Sequence, residues 1–458
     1  MAKRDGTKKT LSRRRLIGTG AAAGVAVTAP ALVSAPTLVR AQAKVELNVV
    51  YHVWAGWEDA LKATIQGFEA KNPTISVKYE LVQYNQLAST LTPRFAAKVP
   101  PDMVGANGGF PWASQGLLVD LQPLITRDKV DVAKLAGTLS IGRVLGKSEQ
   151  LGLPVYLTGG LMFFNKTLFD KYGVALPKQG WTMDDLRTAA IALTRDNQGR
   201  SPSDKGFDSQ NIAHYGIFLG GGQLDEPFIR NFGGHFFNQD YTTALLTDPK
   251  TQAGFSYLNE LACPEHALIV PQPGAAAPVD PFVSQQVAIS ANGEWQFSLY
   301  DPITDFDWDV APPPQGPSGY PDDYHVYAAS DTIGIAKDSK HQDEAWEFIK
   351  YLCLDPSAQL NVAGSLGPAL KEVAASPDFL AKRKGARGPS QANVVWSYKE
   401  MGAHSSFEYY LGTTKNATKW TPVYTDFEQS LLTLCNTDVK SLLADYNTKL
   451  TDAINSTS

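Results

Sequence analysis

From Leu151 to Val174 the chain reads LGLPVYLTGGLMFFNKTLFDKYGV, a turn that opens into an unbroken apolar run and closes on a short helical stretch. A run of this kind, set between turn signals, predicts a strand buried on both faces. Other stretches carry simpler periods. Lys44–Tyr51 and Ile75–Leu81 alternate apolar and polar residues as strands do, and Thr332–Ile335 reads as another strand. Between the first two, Leu61, Ile65 and Phe68 recur at helical spacing, which predicts a helix from Glu58 to about Lys71 that Pro73 ends. Strand, helix, strand is the opening unit of an open α/β sheet. A second helix is expected over Tyr84–Ala97, with Leu87, Leu91 and Phe95 on one face and Pro93 as a source of a kink. Further helices are expected after the Thr182 cap with Asp185 three residues on, after Asp248-Pro249, over Ser339–Leu354, and in the tail from Phe427 to Ile454.

The N-terminus follows a different logic. Ser12-Arg13-Arg14-Arg15 precedes a mild apolar stretch rich in Ala, Gly and Thr, and Ala41-Gln42-Ala43 ends it with a small-x-small site. This is the layout of an export signal, with paired arginines of the twin-arginine type. Its glycines and prolines make it a poor membrane anchor. No cysteine follows it, so no lipid attachment is expected, and the mature chain should begin near Lys44. Residues 1–43 hold eight basic side chains against one acidic. The remainder therefore carries 33 basic and 45 acidic residues, a net of −12. An acidic body of this size excludes nucleic acid as a partner, because phosphate binding needs clustered Lys and Arg. At 458 residues, two domains are expected. The three cysteines are too few for a disulfide framework; buried free thiols are the favoured reading, with a Cys353–Cys435 bridge as the alternative.

Five motifs follow in order: Phe68-Glu69-Ala70-Lys71-Asn72-Pro73 before a strand, Pro101-Asp102-Met103-Val104, Gly116-Leu117-Leu118-Val119-Asp120-Leu121, Phe164-Asn165-Lys166, and Trp308–Pro314 with Gly316-Pro317. Together they resemble extracellular solute-binding proteins of ABC sugar importers. The resemblance runs from about residue 45 to the end. It implies a type II-like periplasmic-binding-protein fold: two α/β lobes, with the ligand in the cleft between them. The chain would cross between lobes near Pro154-Val155-Tyr156, near Pro312-Pro313-Pro314 and near Gly364–Ala369. The lobes would then comprise 44–156 with 313–366, and 157–312 with 367–458.

No His-Glu-x-x-His, Cys-x-x-Cys or Gly-x-Ser-x-Gly is present, and the seven histidines are scattered. No catalytic residue, cofactor or metal is expected, and the acidic run Asp301, Asp305, Asp307, Asp309 reads as a solvated turn. The aromatic content suits a carbohydrate, whose C–H faces stack on rings while its hydroxyls meet polar groups. Ligands of open α/β sheets sit beyond the carboxyl ends of strands, which selects Trp54, Trp57, Asn107 and Trp112; Tyr84, Tyr156 and Thr158 join them as candidates. The resemblance adds two more positions. Glu226-Pro227-Phe228 is similar to the Glu-Pro-Tyr of maltodextrin-binding proteins, and Gly293-Glu294-Trp295 to their Gly-x-Trp, which together select Glu226, Phe228, Glu294 and Trp295. The expected partners are a carbohydrate and the membrane permease of an ABC importer, the chain being a monomer. The alternatives are an exported carbohydrate-active enzyme, with Glu226 and Glu294 as its acid pair, and a glycerophosphodiester-binding protein.

Overall fold

The computed structural model describes residues 44–106, 112, 115–135, 142–143, 148–220, 226–270, 279–317, 324–363, 366–383, 385–404 and 417–456. Residues 1–43, with the expected export signal, and Asn107 lie outside the described residues. The strands in chain order are β1 (Val45–His52), β2 (Ile75–Val82), β3 (Met103–Ala106), β4 (Leu153–Pro154), β5 (Tyr156–Asn165), β6 (Arg195–Asp196), β7 (Ile212–Leu219), β8 (Leu268–Ile269), β9 (Val287–Gly293), β10 (Trp308–Ala311), β11 (Ala328–Ala329), β12 (Thr332–Ile335) and β13 (Gly367–Pro368). They form two sheets. The first runs β2-β1-β3-β12-β4; the second runs β10-β5-β9-β7-β6, with β11 and β13 on β5 and β8 on β7.

In the first sheet β1 pairs in parallel with both β2 and β3, so three strands end on the same side. Alternation sends Leu47, Val49 and Tyr51 of β1 to one face and Val50 to the other. The first face packs on the helix Trp57–Lys71 through Leu61, Ile65 and Phe68, and on the helix Gln342–Leu354 through Phe348, Ile349 and Leu352. The second packs on Leu87, Leu91 and Phe95 of the helix Leu87–Ala96. That helix is shorter than the expected Tyr84–Ala97, because Tyr84–Gln86 forms a 3-10 turn; Pro93 lies inside it.

The second sheet is organised on β5, all ten of whose residues are buried. Met162 and Phe164 face one core with the helices Met183–Leu193 and Pro249–Ala262 and the two C-terminal helices; Leu157, Leu161 and Phe163 face another with Phe297, Tyr300 and Trp308. Burial on both faces is what a continuous apolar run requires. The capping box of Thr182 and Asp185 is present, and Asp248 caps the helix Pro249–Ala262.

The chain leaves the first sheet after β4 and enters the second at β5, with Val155 between them. Its return comes between β11, paired with β5, and β12, paired with β3. Ser330 and Asp331 therefore make the second passage, later than Pro312–Pro314. The proline segment stays with the second sheet's elements, where Trp181 donates to the Pro312 carbonyl and Asn231 to that of Pro314. The third passage precedes β13, which pairs with Leu157 and Tyr156.

The cysteine expectation is corrected. Cys263 and Cys435 form a disulfide, and Cys353 is the buried free thiol. Cys263 ends the helix Pro249–Ala262, and Cys435 follows the helix Ala417–Thr433 that packs on it. Proximity of those two helix ends decides the pairing, while burial in the first core keeps Cys353 apart and pushes its thiol up.

Candidate carbohydrate site

Three carboxyl ends in the first sheet, those of β1, β2 and β3, lead into Val53–Gly56, Gln83–Gln86 and the residues after Ala106. Trp54 follows β1. It is half-buried and stacks on Trp57 at 4.4 Å with 16° between planes, while Tyr156 meets it edge-on at 5.1 Å. Trp57 is 1% exposed, so it supports Trp54 from behind and offers no face of its own. Tyr84, 52% exposed, stands edge-on to His52 at 5.2 Å. Trp54, Tyr84 and Tyr156 thus form one aromatic group with His52.

Beneath these rings lies Asp331, in the second passage. His52 Nε2 is 2.9 Å from Asp331 Oδ2, and the Tyr156 hydroxyl donates to the same oxygen. One carboxylate oxygen thereby joins β1 of the first sheet to β5 of the second. Tyr327 is buried nearby. Burial holds its hydroxyl well above the ordinary tyrosine range, and the carboxylates of Glu226 and Asp331 raise it further. Tyr327 therefore feels both acids, Asp331 in the passage and Glu226 beside the second sheet. Glu226 opens the short helix Glu226–Arg230, is fully buried, and has its Oε1 3.1 Å from His325 Nε2. Thr158 is buried on β5 next to β11.

The second sheet contributes the end of β9. Gly293 pairs with Gly160 of β5, which sets Glu294 and Trp295 at the same end as Thr158. Trp295 is 38% exposed. Its indole folds back over Gly293: a Cβ there would lie 2.0–2.2 Å from three ring atoms. Gly293 itself has φ −85°, an ordinary value. The glycine is required by the approach of the ring and not by its backbone angle. Glu294 is fully buried against Arg383 and Tyr398.

Two candidates are held away from this group. Trp112 is 1% exposed and stacks on Phe95 at 5.6 Å in the core under the helix Leu87–Ala96. Phe228 is fully buried against Tyr257. The site also holds His52, His325, Tyr327 and Asp331, which pattern reading passed over. His52 ends β1, so the carboxyl-end rule that selected Trp54 reaches it; Asp331 precedes β12, and only the antiparallel pairing of β12 with β3 brings that amino end to the same side.

The profile of the bacterial extracellular solute-binding protein family matches residues 54–359. The chain belongs to that family. A Brucella abortus protein provisionally named a binding protein is 24% identical over 308 residues, 63% of this chain and 66% of its own length. A maltotriose-binding protein of Pyrococcus abyssi is 26% identical over 279 residues, 58% of this chain and 54% of its own. The chain thus spans about two thirds of the one relative and about half of the other. Among solved structures, an ABC substrate-binding protein of Listeria monocytogenes in complex with cycloalternan superposes with TM-score 0.70 at 20% identity, covering 89% of this chain and 98% of that one. The sugar-binding protein MalE of Xanthomonas citri gives 0.71 at 16% identity, covering 89% and 97%. These likenesses establish the fold of this solute-binding protein as the two-lobe α/β type. Among its described residues no helix is long and apolar enough to cross a membrane.

Proposed function

We propose that this solute-binding protein captures a carbohydrate between its lobes and presents it to the permease of an ABC importer. The observation that carries the reading is the group at the carboxyl ends of β1 and β2. Rings of Trp54, Tyr84 and Tyr156 adjoin the Asp331 carboxylate, and Glu226 lies within reach of the same field. Flat rings beside polar groups match the C–H faces and hydroxyls of a sugar. No bond is broken in this reading; the ligand-bound closed form is the product. The ligands named for two similar proteins, maltotriose and cycloalternan, support an oligosaccharide.

The lobes would hinge at Val155, at Ser330-Asp331 and just before β13. The export reading stands with it: a twin-arginine-type signal cleaved near Lys44, releasing a soluble monomer. A thermal-shift panel of saccharides tests the ligand class, since stabilisation follows RT ln(1 + [L]/Kd). Maltotriose at a hundred times its Kd should add about 2.7 kcal/mol, and small-angle scattering should show a smaller radius of gyration with it bound. A flat response across mono-, di- and oligosaccharides would end the carbohydrate reading.

A further inference from the structure

Glu294 is an uncommon neighbour for an exposed aromatic. It precedes Trp295, carries a charge-bearing group, and is fully buried. Two donors converge on one oxygen of its carboxylate. Arg383 Nη2 donates to Oε1 at 3.0 Å, and the Tyr398 hydroxyl donates to the same oxygen. They come from the end of the helix Pro377–Lys382 and from the helix Gln391–His404, while Gly367 of β13, beside the third passage, packs on the Tyr398 ring.

The cluster has no slack. Arg383 is 3% exposed, with its guanidinium 4.8 Å from the Phe297 ring and 5.5 Å from that of Phe379. Gly367 has no room for a side chain: a Cβ would lie 2.6 Å from the Tyr398 ring and 2.7 Å from the Leu157 carbonyl oxygen. Burying a carboxylate and a guanidinium together is costly in desolvation and adds little net stability over well-packed apolar side chains. What such a pair supplies is geometry, because its hydrogen bonds are directional and a partner cannot be lost cheaply. Here that geometry fixes the residue next to Trp295 and the backbone of the third passage at once.

We propose that Arg383 and Tyr398 are positioning residues for ligand capture: acting through Glu294, they set the Trp295 ring at the end of β9 and tie it to the passage at Gly367. The proposal rests on the reading of Trp295 as a ligand platform. Arg383 has no role as a ligand contact in it. Motion of the passage during lobe closure is transmitted to the ring, and the ring's engagement by ligand is transmitted back.

The cluster is also sensitive to protons. Burial pushes the Glu294 acid up to about 7, and the Arg383 charge and the Tyr398 hydroxyl hold it from rising further. The groups facing it are Arg383 and Tyr398. Behind Arg383 stands Asp301, whose acid burial raises to about 6 while Arg383 lowers it. Protonation of Glu294 weakens the contacts that hold it, so the surroundings of Trp295 change near neutral pH.

The test uses the mature chain without ligand. The emission of Trp295 is isolated as the difference between the chain and its Trp295→Phe variant, and is followed from pH 5 to pH 9. A single transition near pH 7 is expected. It should vanish in Glu294→Gln, and in Tyr398→Phe it should move upward, because a group favouring the carboxylate is lost. Arg383→Met should move it further in the same direction. The Glu294 and Tyr398 variants keep the test decisive should Arg383→Met fail to fold. A second arm measures maltotriose binding by calorimetry: Arg383→Lys should weaken it at least tenfold with the melting temperature held within a few degrees. A transition that persists unchanged in Glu294→Gln, or no transition at all, overturns the proposal. So does unchanged maltotriose affinity in Arg383→Lys. If the wild type binds no saccharide, the carbohydrate reading falls, and the fluorescence arm still decides whether the cluster sets Trp295.

Discussion

Gly293→Ala isolates the Trp295 ring more cleanly than removal of the ring itself. The added methyl would stand 2.0–2.2 Å from three atoms of the indole, far inside contact distance. The backbone at Gly293 has φ −85°, which alanine adopts freely, so no conformational cost follows. Alanine also lowers the entropy of the unfolded chain, worth about 0.4–1 kcal/mol toward the folded state. The whole penalty therefore falls on the indole, and Trp295 is exposed enough to swing away into solvent. Fold stability should change by no more than about 1 kcal/mol. Binding should lose what an anchoring aromatic contributes, about 2–4 kcal/mol, which at about 1.4 kcal/mol per tenfold is roughly a 30- to 1,000-fold rise in Kd. Calorimetric titration with the best saccharide of the panel, beside urea denaturation of the free protein, reads both quantities. Unchanged affinity would take Trp295 out of the site. A stability loss above about 3 kcal/mol would mean that the ring is a core element despite its exposure.

Other expectations concern the fold, the pH profile and export. Replacing Cys263 and Cys435 with serine opens a loop of 172 residues' separation, and the chain-entropy relation assigns it about 5 kcal/mol of stability, checked by denaturation of the variant. Glu294, ordinarily titrating at 4.5 and here at about 7, binds its proton more tightly in the folded state. Its contribution is therefore fully present below pH 4.5 and is lost as pH rises to about 7; a shift of this size corresponds to about 3 kcal/mol. His214 acts oppositely: burial, helped by the charges of Arg195 and Lys171, lowers it to about 4, so stability is lost as pH falls from 6.5 toward 4. Denaturation midpoints of Glu294→Gln against wild type across pH 4–8 separate the two, and parallel profiles would refute the Glu294 assignment. Replacing Arg13 and Arg14 with lysine should retain the precursor in the cytoplasm, and cell fractionation showing unchanged export would remove the twin-arginine reading.

The parts of the fold that depend on local pattern were legible. The run Leu161–Phe164 announced a strand buried on both faces, and the structure divides it, Leu161 and Phe163 to one core and Met162 and Phe164 to the other. The Thr182 and Asp185 box is a relation across three residues and could be read directly. The site was legible only where it sits at a strand end, as with Trp54. Which of Trp54 and Trp57 would show a face was not, because both lie in the turn from β1 into the helix Trp57–Lys71 and only the packing of Tyr51 and Tyr156 decides it. The polar half of the site is built from distant partners: Tyr156 with Asp331 across 175 positions and Glu294 with Arg383 across 89. No period or spacing encodes such pairs. The Cys263–Cys435 bridge was missed for the same reason, since it follows from how two helices of the second core pack.

Those distant pairs bear on what kind of ligand the site suits. Three carboxylates among its described residues stand against nitrogen-bearing side chains: Asp331 against His52, Glu226 against His325, and Glu294 against Arg383. A cationic ligand would call for carboxylates without such partners, and a phosphodiester for cations in excess of acids. Paired groups beneath aromatic rings instead present oriented donors and acceptors, which is what a neutral polyol needs. Binding of an uncharged saccharide to such a site should be almost independent of ionic strength, since salt screens interactions between charges and the ligand brings none. An affinity that falls steeply between 50 mM and 500 mM salt would show that charge carries the recognition, and would turn the assignment toward the phosphodiester class.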